Sequence, residues 1–431
     1  MVKIIKRVFL SLLAVSAGMS LSAEPLTLDD CVRMAQDNYP LLKKYRLTEQ
    51  SERLSLSDIN KAWLPSISLY AQATAQNVVP AFPDALSGVL DQMGSNVEGL
   101  SKIQWKAGVE LSQTIWDGGV SKSKRNIERA RTARSRAALD VELYAIRQKV
   151  EDLYFGILLT REQLAQNRLT LSLLASNRDK LSSMYSNGTA MRSDVEMVEA
   201  QILSTEQRQT EATCAIDSYT RLLEIYIGEP VNAEELVKPS PEEPLDLMPD
   251  RPEQRMFDAG EALNEAQRES VGATLTPRFG LFAQGYYGYP GIDYFKSMMS
   301  RDPSFNLVAG IKVTWNIDPF YTRKNSDSRI AVADGNIAAE RETFLLNNRL
   351  KSEADRAKIA TMRKVVEDDG RIIELRANIR KAAESQLANG IIDTTALLAK
   401  ITDEGQARLS AAYHEIQLLQ NICNLKLTLN K

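Results

Sequence analysis

The sequence predicts a mainly α-helical chain built twice from one plan, with two amphipathic β-strands in each copy. Three observations carry this prediction. Proline and Asn-Gly landmarks recur at a nearly fixed offset, short segments alternate polar with apolar residues, and one stretch, Val120 to Ser186, holds no proline and a single glycine. With 44% hydrophobic and 25% charged residues the chain has enough apolar surface to fold, and only 6% aromatic content leans towards long helices.

The first element is a processing signal. Lys3, Lys6 and Arg7 form a basic region, Val8 to Val15 is mostly apolar, and Leu21-Ser22-Ala23 offers a small-residue cleavage site. The apolar run is shorter than the ~20 residues a spanning helix needs. Residues 1–23 are therefore read as a signal peptide, and Glu24 stands where a lipoprotein would carry cysteine. Cleavage removes three positive and no acidic residues, so the formal net charge moves from −3 to −6. That balance, with no basic and aromatic patch, argues against a nucleic-acid partner. No later segment has the length and apolarity of a transmembrane helix, so membrane residence requires strands.

An internal repeat organises the mature chain. Pro40 aligns with Pro252 and Pro65 with Pro277, both at an offset of 212. "AGVELSQTIWD" (Ala107–Asp117) aligns with "AGIKVTWNIDP" (Ala309–Pro319) at 202, and Asn187-Gly188 keeps that offset with Asn389-Gly390. A longer polar loop between Gln76 and Ser101 in the first copy explains the change of ten. The expected organisation is a first repeat over 24–228, a proline-rich linker over 229–251 and a second repeat over 252–431. Each repeat runs helix, two strands around a loop, long helix, turn, helix.

The strands show period two. Trp105, Ala107, Val109, Leu111 and Ile115 oppose Gln104, Lys106, Glu110, Ser112 and Thr114. Phe305 through Ile317 at alternate positions, including Ile311 and Trp315, oppose Asn306, Lys312, Thr314 and Asn316. Ile67, Leu69, Ala71 and Ala73 oppose Ser68, Gln72 and Thr74, and Phe279, Leu281 and Ala283 oppose Arg278 and Gln284. Any half-buried antiparallel sheet looks like this. Export, strand lengths of ~10 residues and the lack of other strands favour a membrane barrel. Trp105, Leu111, Ile311 and Trp315 are then expected to face lipid, and Lys106, Glu110 and Lys312 the lumen.

The helix over 120–186 would reach ~100 Å. Leu143, Ile146, Val150, Leu153, Ile157, Leu164, Leu171, Leu174 and Leu181 give it a coiled-coil seam. The second long helix, 322–388, has a poorer seam (Leu345, Ile359, Met362, Val366, Ile373) and more charge, which suggests a face on water. Asn187-Gly188 and Asn389-Gly390 mark the reversals, because glycine accepts positive φ at a helix C-terminus. Ser193 is expected to cap the first returning helix, and one of Asp393, Thr394 and Thr395 the second.

In "LTLDDCVRMAQDNYPLLKK", Pro65 before the first strand, "VELSQTIWDGG" and "YSNGTAMRSDVEMVEAQ", taken in order and duplicated, the sequence resembles the TolC family of outer-membrane efflux proteins. The resemblance implies a mainly α fold with a membrane β-barrel: four β-strands per chain, closing a twelve-stranded barrel as a homotrimer, continued by a long α-helical coiled-coil barrel across the periplasm. It implies residence in outer-membrane lipid and docking, at the hairpin tips, to a periplasmic adaptor that links to an inner-membrane pump or ABC transporter. The tip residues of this chain are Asn187, Gly188, Ser193, Asp194, Asn389, Gly390 and Thr394. Family members often show Val-Gly followed by Ser or Thr there; Asn187 and Asn389 replace the valine. An acidic ring six and nine positions after the second tip glycine, present in some relatives, is not supported by Ala396 and Ala399.

The expected function is passive export of small molecules or secreted products, with multidrug efflux favoured over polypeptide secretion. A periplasmic coiled-coil scaffold is a weaker alternative, since it has no need of two amphipathic strand pairs. No cofactor, metal or catalytic site is expected. Cys31, Cys214 and Cys423 are far apart, His414 is the single histidine, and no nucleophile pairs with a base at a readable spacing. The cysteines are read as small apolar residues packed on helices.

Overall fold

The computed structural model describes residues 25–94, 99–244 and 248–430; the expected signal peptide lies outside them. The described residues form helices α1 (Leu28–Asn38), α2 (Leu42–Lys61), α3 (Asp84–Gln92), α4 (Val120–Ser186), α5 (Arg192–Ile227), α6 (Pro252–Thr274), α7 (Tyr294–Met299), α8 (Asp318–Ala388) and α9 (Thr394–Leu429). Strands β1 (Ser66–Ala75) and β2 (Ile103–Trp116) fall between α2 and α4, and β3 (Arg278–Tyr289) and β4 (Ser304–Thr314) between α6 and α8. The same order of elements thus occurs twice. The short helices α3 and α7 sit in the β1–β2 and β3–β4 connections, where the sequence suggested loops alone. Their 9 and 6 residues are too few for a periodic signal.

The chain divides into two compact units, each drawn from both halves of the sequence: Met1–Lys44, Leu139–Gln254 and Glu342–Lys431 in one, Tyr45–Ala138 and Arg255–Arg341 in the other. The first unit is helical. Its largest apolar cluster joins Cys31 and Ala35 of α1, Val150, Tyr154 and Ile157 of α4, Leu223 of α5 and Ile416 of α9, all nearly or fully buried. The seam read along α4 is the one that packs, with Ile146, Val150, Ile157, Leu164, Leu174 and Leu181 buried. Burial pushes the Cys31 and Cys423 thiols up to about 12, as expected of packing residues, whereas Cys214 is exposed.

The proline-rich segment lies on this core. Leu26 and Leu236 form a parallel bridge, and Arg161 donates to the Ala233 and Leu236 carbonyls at 2.8 and 2.9 Å. The Tyr154 hydroxyl, on a fully buried side chain, lies 2.6 Å from the Val237 carbonyl oxygen and accepts from the Val237 amide at 3.1 Å. Backbone groups that prolines keep out of a helix are satisfied by side chains of α4.

The second hairpin differs from its expectation. Ile330 and Ile337 are buried in the first part of α8, but Leu345 is exposed, and beyond it the buried face carries Asn348, Ser352, Asp355, Ile359, Asp369, Arg380 and Ala383. Asn348 donates to the Thr428 carbonyl at 2.7 Å, Asp369 meets His414 Nδ1 at 2.9 Å, and Arg380 donates to Glu404 at 2.5 Å, with Arg408 on the other carboxylate oxygen at 2.7 Å. Burial opposes ionisation of Glu404, but the hydrogen bonds from Arg380 and Arg408 outweigh it and hold the carboxyl below its ordinary value. The poor apolar seam is a polar seam, paired across α8 and α9, and not only a wetted face.

The compensation at Glu151 is weaker, a hydrogen bond from Arg147 Nε at 3.4 Å. Glu151 is 2% exposed, and burial, opposed by Arg147, pushes its carboxyl up to about 7 from an ordinary 4.5. The folded value lies above the unfolded one, so stability falls as pH rises from about 4.5 to about 7, and the full cost persists above that. Glu151→Gln is expected to raise the melting temperature of the detergent-solubilised protein at pH 8, by a stability gain on the order of 2 kcal/mol, and to leave it unchanged near pH 4. Equal melting of the two proteins at pH 8 contradicts this account.

Candidate functional site: the amphipathic sheet and the hairpin tips

The four strands form one antiparallel sheet in the order β1-β2-β3-β4, so the two halves of the chain join through β2 and β3. The register aligns their apolar positions. Ile67, Leu111 and Ala283 pair in one row, Leu69, Val109, Gly285 and Leu307 in the next, and Ala71, Ala107, Tyr287 and Phe305 in a third. Leu281 pairs with Ile311 and Phe279 with Val313. One face of the sheet is therefore continuously apolar. It is also uncovered: Leu69 is 81% and Ile311 75% exposed. Trp105 (43% exposed) packs edge-on against Tyr287 at 6.0 Å between ring centres.

The opposite face carries Ser68, Gln72, Lys106, Glu110, Gln284, Asn306 and Lys312, together with Tyr70 and Tyr286, which the sequence reading did not assign to a face. The alternation of β1 through Tyr70 was the signal available. Lys106 and Glu110 thus share a face with Lys312, and Trp105, Leu111 and Ile311 share the other, as expected from their parity.

Two expected positions change. The β2–β3 register shifts between Thr114 and Trp116, a bulge at Ile115, so Trp116 rather than Ile115 pairs opposite Phe279, their ring centres 5.6 Å apart. Trp315 lies beyond the end of β4; its indole N–H donates to the Leu275 carbonyl at 3.0 Å. Both corrections fall where the strands give way to helices and period two no longer constrains the chain. Gln113, the polar residue on the apolar face, has its amide hydrogen-bonded to the Trp63 carbonyl at 2.5 Å.

The hairpin tips are near copies. Gly188 (φ +74°) and Gly390 (φ +70°) are left-handed, and each follows an exposed asparagine. The Gly188 amide donates to Tyr185 and that of Thr189 to Met184, both at 2.9 Å; the Gly390 amide donates to Leu387 and that of Ile391 to Gln386, again at 2.9 Å. This is the paired 5→2 and 6→1 bonding of a Schellman cap. A Cβ at either glycine would meet nothing within 4 Å, so the requirement for glycine comes from φ alone.

The caps of the returning helices differ from expectation at the first tip. Ser193 lies inside α5; the N-cap is Met191, whose amide donates to the Asp194 carboxylate at 2.9 Å. At the second tip Asp393 caps α9, accepting from the Ala396 amide at 2.8 Å. Thr394, expected on the tip surface, is 2% exposed and belongs to the packing. The two hairpins share one apolar cluster: Leu174, Leu181, Val198, Ala383, Leu397 and Ile401. Sequence reasoning missed the apolar groups left outside that cluster, Met191 (73% exposed) and Ile391 (69%), which no periodicity marks because they lie in the turns.

Among the described residues no helix is long and apolar enough to cross a membrane, and no group of histidine, cysteine and carboxylate side chains is placed to hold a metal ion. Residues 31–228 match the family model described as outer membrane efflux protein. The match covers 198 of the 431 residues, the first of the two repeats. The match supports an outer-membrane location with an extension into the periplasm, and the role of an efflux duct. Its fold is similar to that of solved channels: CusC, with a TM-score of 0.65 at 13% identity over 93% of this chain and 91% of that one; CmeC of Campylobacter jejuni, 0.64 at 12% over 93% and 85%; and the open state of MtrE of Neisseria gonorrhoeae, 0.64 at 15% over 93% and 88%. No curated protein sequence matches the chain significantly.

Placed in a membrane, a sheet built this way should tolerate charge on one face only. Arg on a lipid-facing side costs on the order of 2–4 kcal/mol at mid-depth and less towards the strand ends. Leu307→Arg, in the middle of β4, is therefore expected to lower assembly strongly, and Ser68→Arg on the polar face much less. Yield of assembled protein in the outer membrane measures both; equal yields would contradict the facing.

Proposed function

We propose that this chain is the outer-membrane duct of a multidrug efflux assembly, a homotrimer whose sheets close into one barrel. The observation that carries the reading is the sheet: a continuous apolar face, uncovered, bounded by β1 and β4, which have no partner on their outer edges among the described residues. In hydrocarbon each unsatisfied backbone group costs several kcal/mol, so those edges require closure by further copies of the chain. Twelve strands from three chains follow from the family resemblance.

On this reading the apolar face meets lipid and the polar face, with Lys106, Glu110 and Lys312, lines the lumen. Each tip is joined to a strand pair by one uninterrupted helix, α4 or α8, and so is a docking point for the periplasmic adaptor through Asn187, Gly188, Ser193, Asp194, Asn389 and Gly390. The adaptor connects the duct to an inner-membrane pump that supplies the energy. Small molecules are the cargo this reading favours.

Replacing Gly188 and Gly390 together with Leu tests the docking assignment. Each site then carries a strain of about 1–2 kcal/mol from left-handed φ, while its Cβ meets nothing within 4 Å. Trimers should still reach the outer membrane while export of a fluorescent drug falls at least tenfold. Normal export at normal trimer level rules out docking at the tips; a parallel loss of trimer and export reduces the glycines to helix terminators.

A further inference from the structure

The polar face of the sheet contains a cluster that neither closure nor docking requires. Tyr70, Gly108 and Tyr286 lie in one row across β1, β2 and β3. A Cβ at Gly108 would meet the Gly285 carbonyl oxygen and come within 2.7 Å of the Tyr286 Cβ, so this row has no space for a central side chain. Lys106, two residues earlier on the same face, places its ammonium 5.8 Å from the Tyr70 ring centre and 5.7 Å from that of Tyr286. The Gln284 amide donates to the Tyr70 hydroxyl at 2.5 Å and fixes one of the two rings.

Two ring faces attract an ammonium but do not neutralise it. No carboxylate pairs with Lys106 among the described residues. Glu110, the acid on its face, stands four residues along β2, roughly 13 Å away at strand spacing. The charged strand residues of this face are Lys106, Arg278 and Lys312 against Glu110, so the face is cationic in a chain of net charge −3. A fixed, uncompensated cation on the wall of a narrow passage raises the local concentration of anions.

We propose that Lys106, positioned by Tyr70 and Tyr286, is an anion-recognition point on the duct wall, and that it takes organic anions carrying an aromatic ring. The carboxylate meets the ammonium and the ring lies against the tyrosines. This rests on the reading of the polar face as the lumen.

The test uses the full-length protein in lipid nanodiscs, with 2-naphthoate as probe, equilibrium dialysis as readout and empty nanodiscs as baseline. Naphthoate should bind saturably, and the cation 2-naphthylmethylammonium should not. Lys106→Met should weaken naphthoate binding at least tenfold, Lys106→Arg should retain it, and Lys312→Met should leave it unchanged. Absence of saturable binding, binding unchanged in Lys106→Met, or loss in Lys106→Arg as well, overturns the proposal. The lumen reading is checked separately in a Cys214→Ser background with a membrane-impermeant maleimide. Glu110→Cys should label and Ile311→Cys should not; the reverse pattern overturns the facing and, with it, the recognition point.

Discussion

An open strand edge in hydrocarbon is the constraint on which the rest of this protein depends. The outer edges of β1 and β4 present backbone N–H and C=O groups that lipid cannot satisfy. A soluble protein can leave such edges to water or blunt them with charge. Here the apolar face that would hold the sheet in a membrane also removes the water. On the proposed reading, the four strands are stable in their environment only as part of a closed wall, which makes assembly a part of folding.

The helices solve a different problem. Long helices joined in hairpins can slide by a turn unless something fixes their register, and the two hairpins fix it by different means. The first buries a conventional apolar stripe, from Ile146 to Leu181. In the second, Asn348 with Thr428, Asp369 with His414, and Arg380 with Glu404 and Arg408 alternate with Ile359 and Ala383. A polar pair of this kind adds little net stability over an apolar one, yet a shifted register would leave each member buried and unpaired. Register specification is what such pairs contribute. The shared apolar cluster beneath the tips then ties both hairpins together at the reversals.

At the reversals the backbone does the work that side chains do elsewhere. The same two hydrogen bonds close each Schellman cap, and the glycines stand in open space. Such a geometry leaves the surface of the turn free of packing demands. Met191 and Ile391 can remain exposed there without disturbing the fold beneath them.

The sequence by itself determined the features that depend on local periodicity or backbone chemistry. Period two marked four strands and the sides of Lys106, Glu110, Leu111 and Ile311; an unbroken helical run marked α4 and its seam; Asn-Gly marked both tips. These are properties of a few consecutive residues, whose φ and side-chain direction are set by near neighbours. Tertiary structure alone decided what depends on partners distant in sequence. One local feature also escaped the sequence reading: Asp194 rather than Ser193 satisfies the first tip, because the capping geometry turns on which side chain can reach back to the Met191 amide three residues away. Thr394 is 2% exposed, a burial that its place beside the turn did not reveal. The polar seam of α8 was invisible because a buried Asn or Arg reads as surface until the partner that satisfies it, some 24 to 80 residues away, is brought alongside. Tyr70 and Tyr286 became a site for the same reason: 216 positions separate them in the chain, and only the register of three strands sets the Lys106 ammonium between their rings.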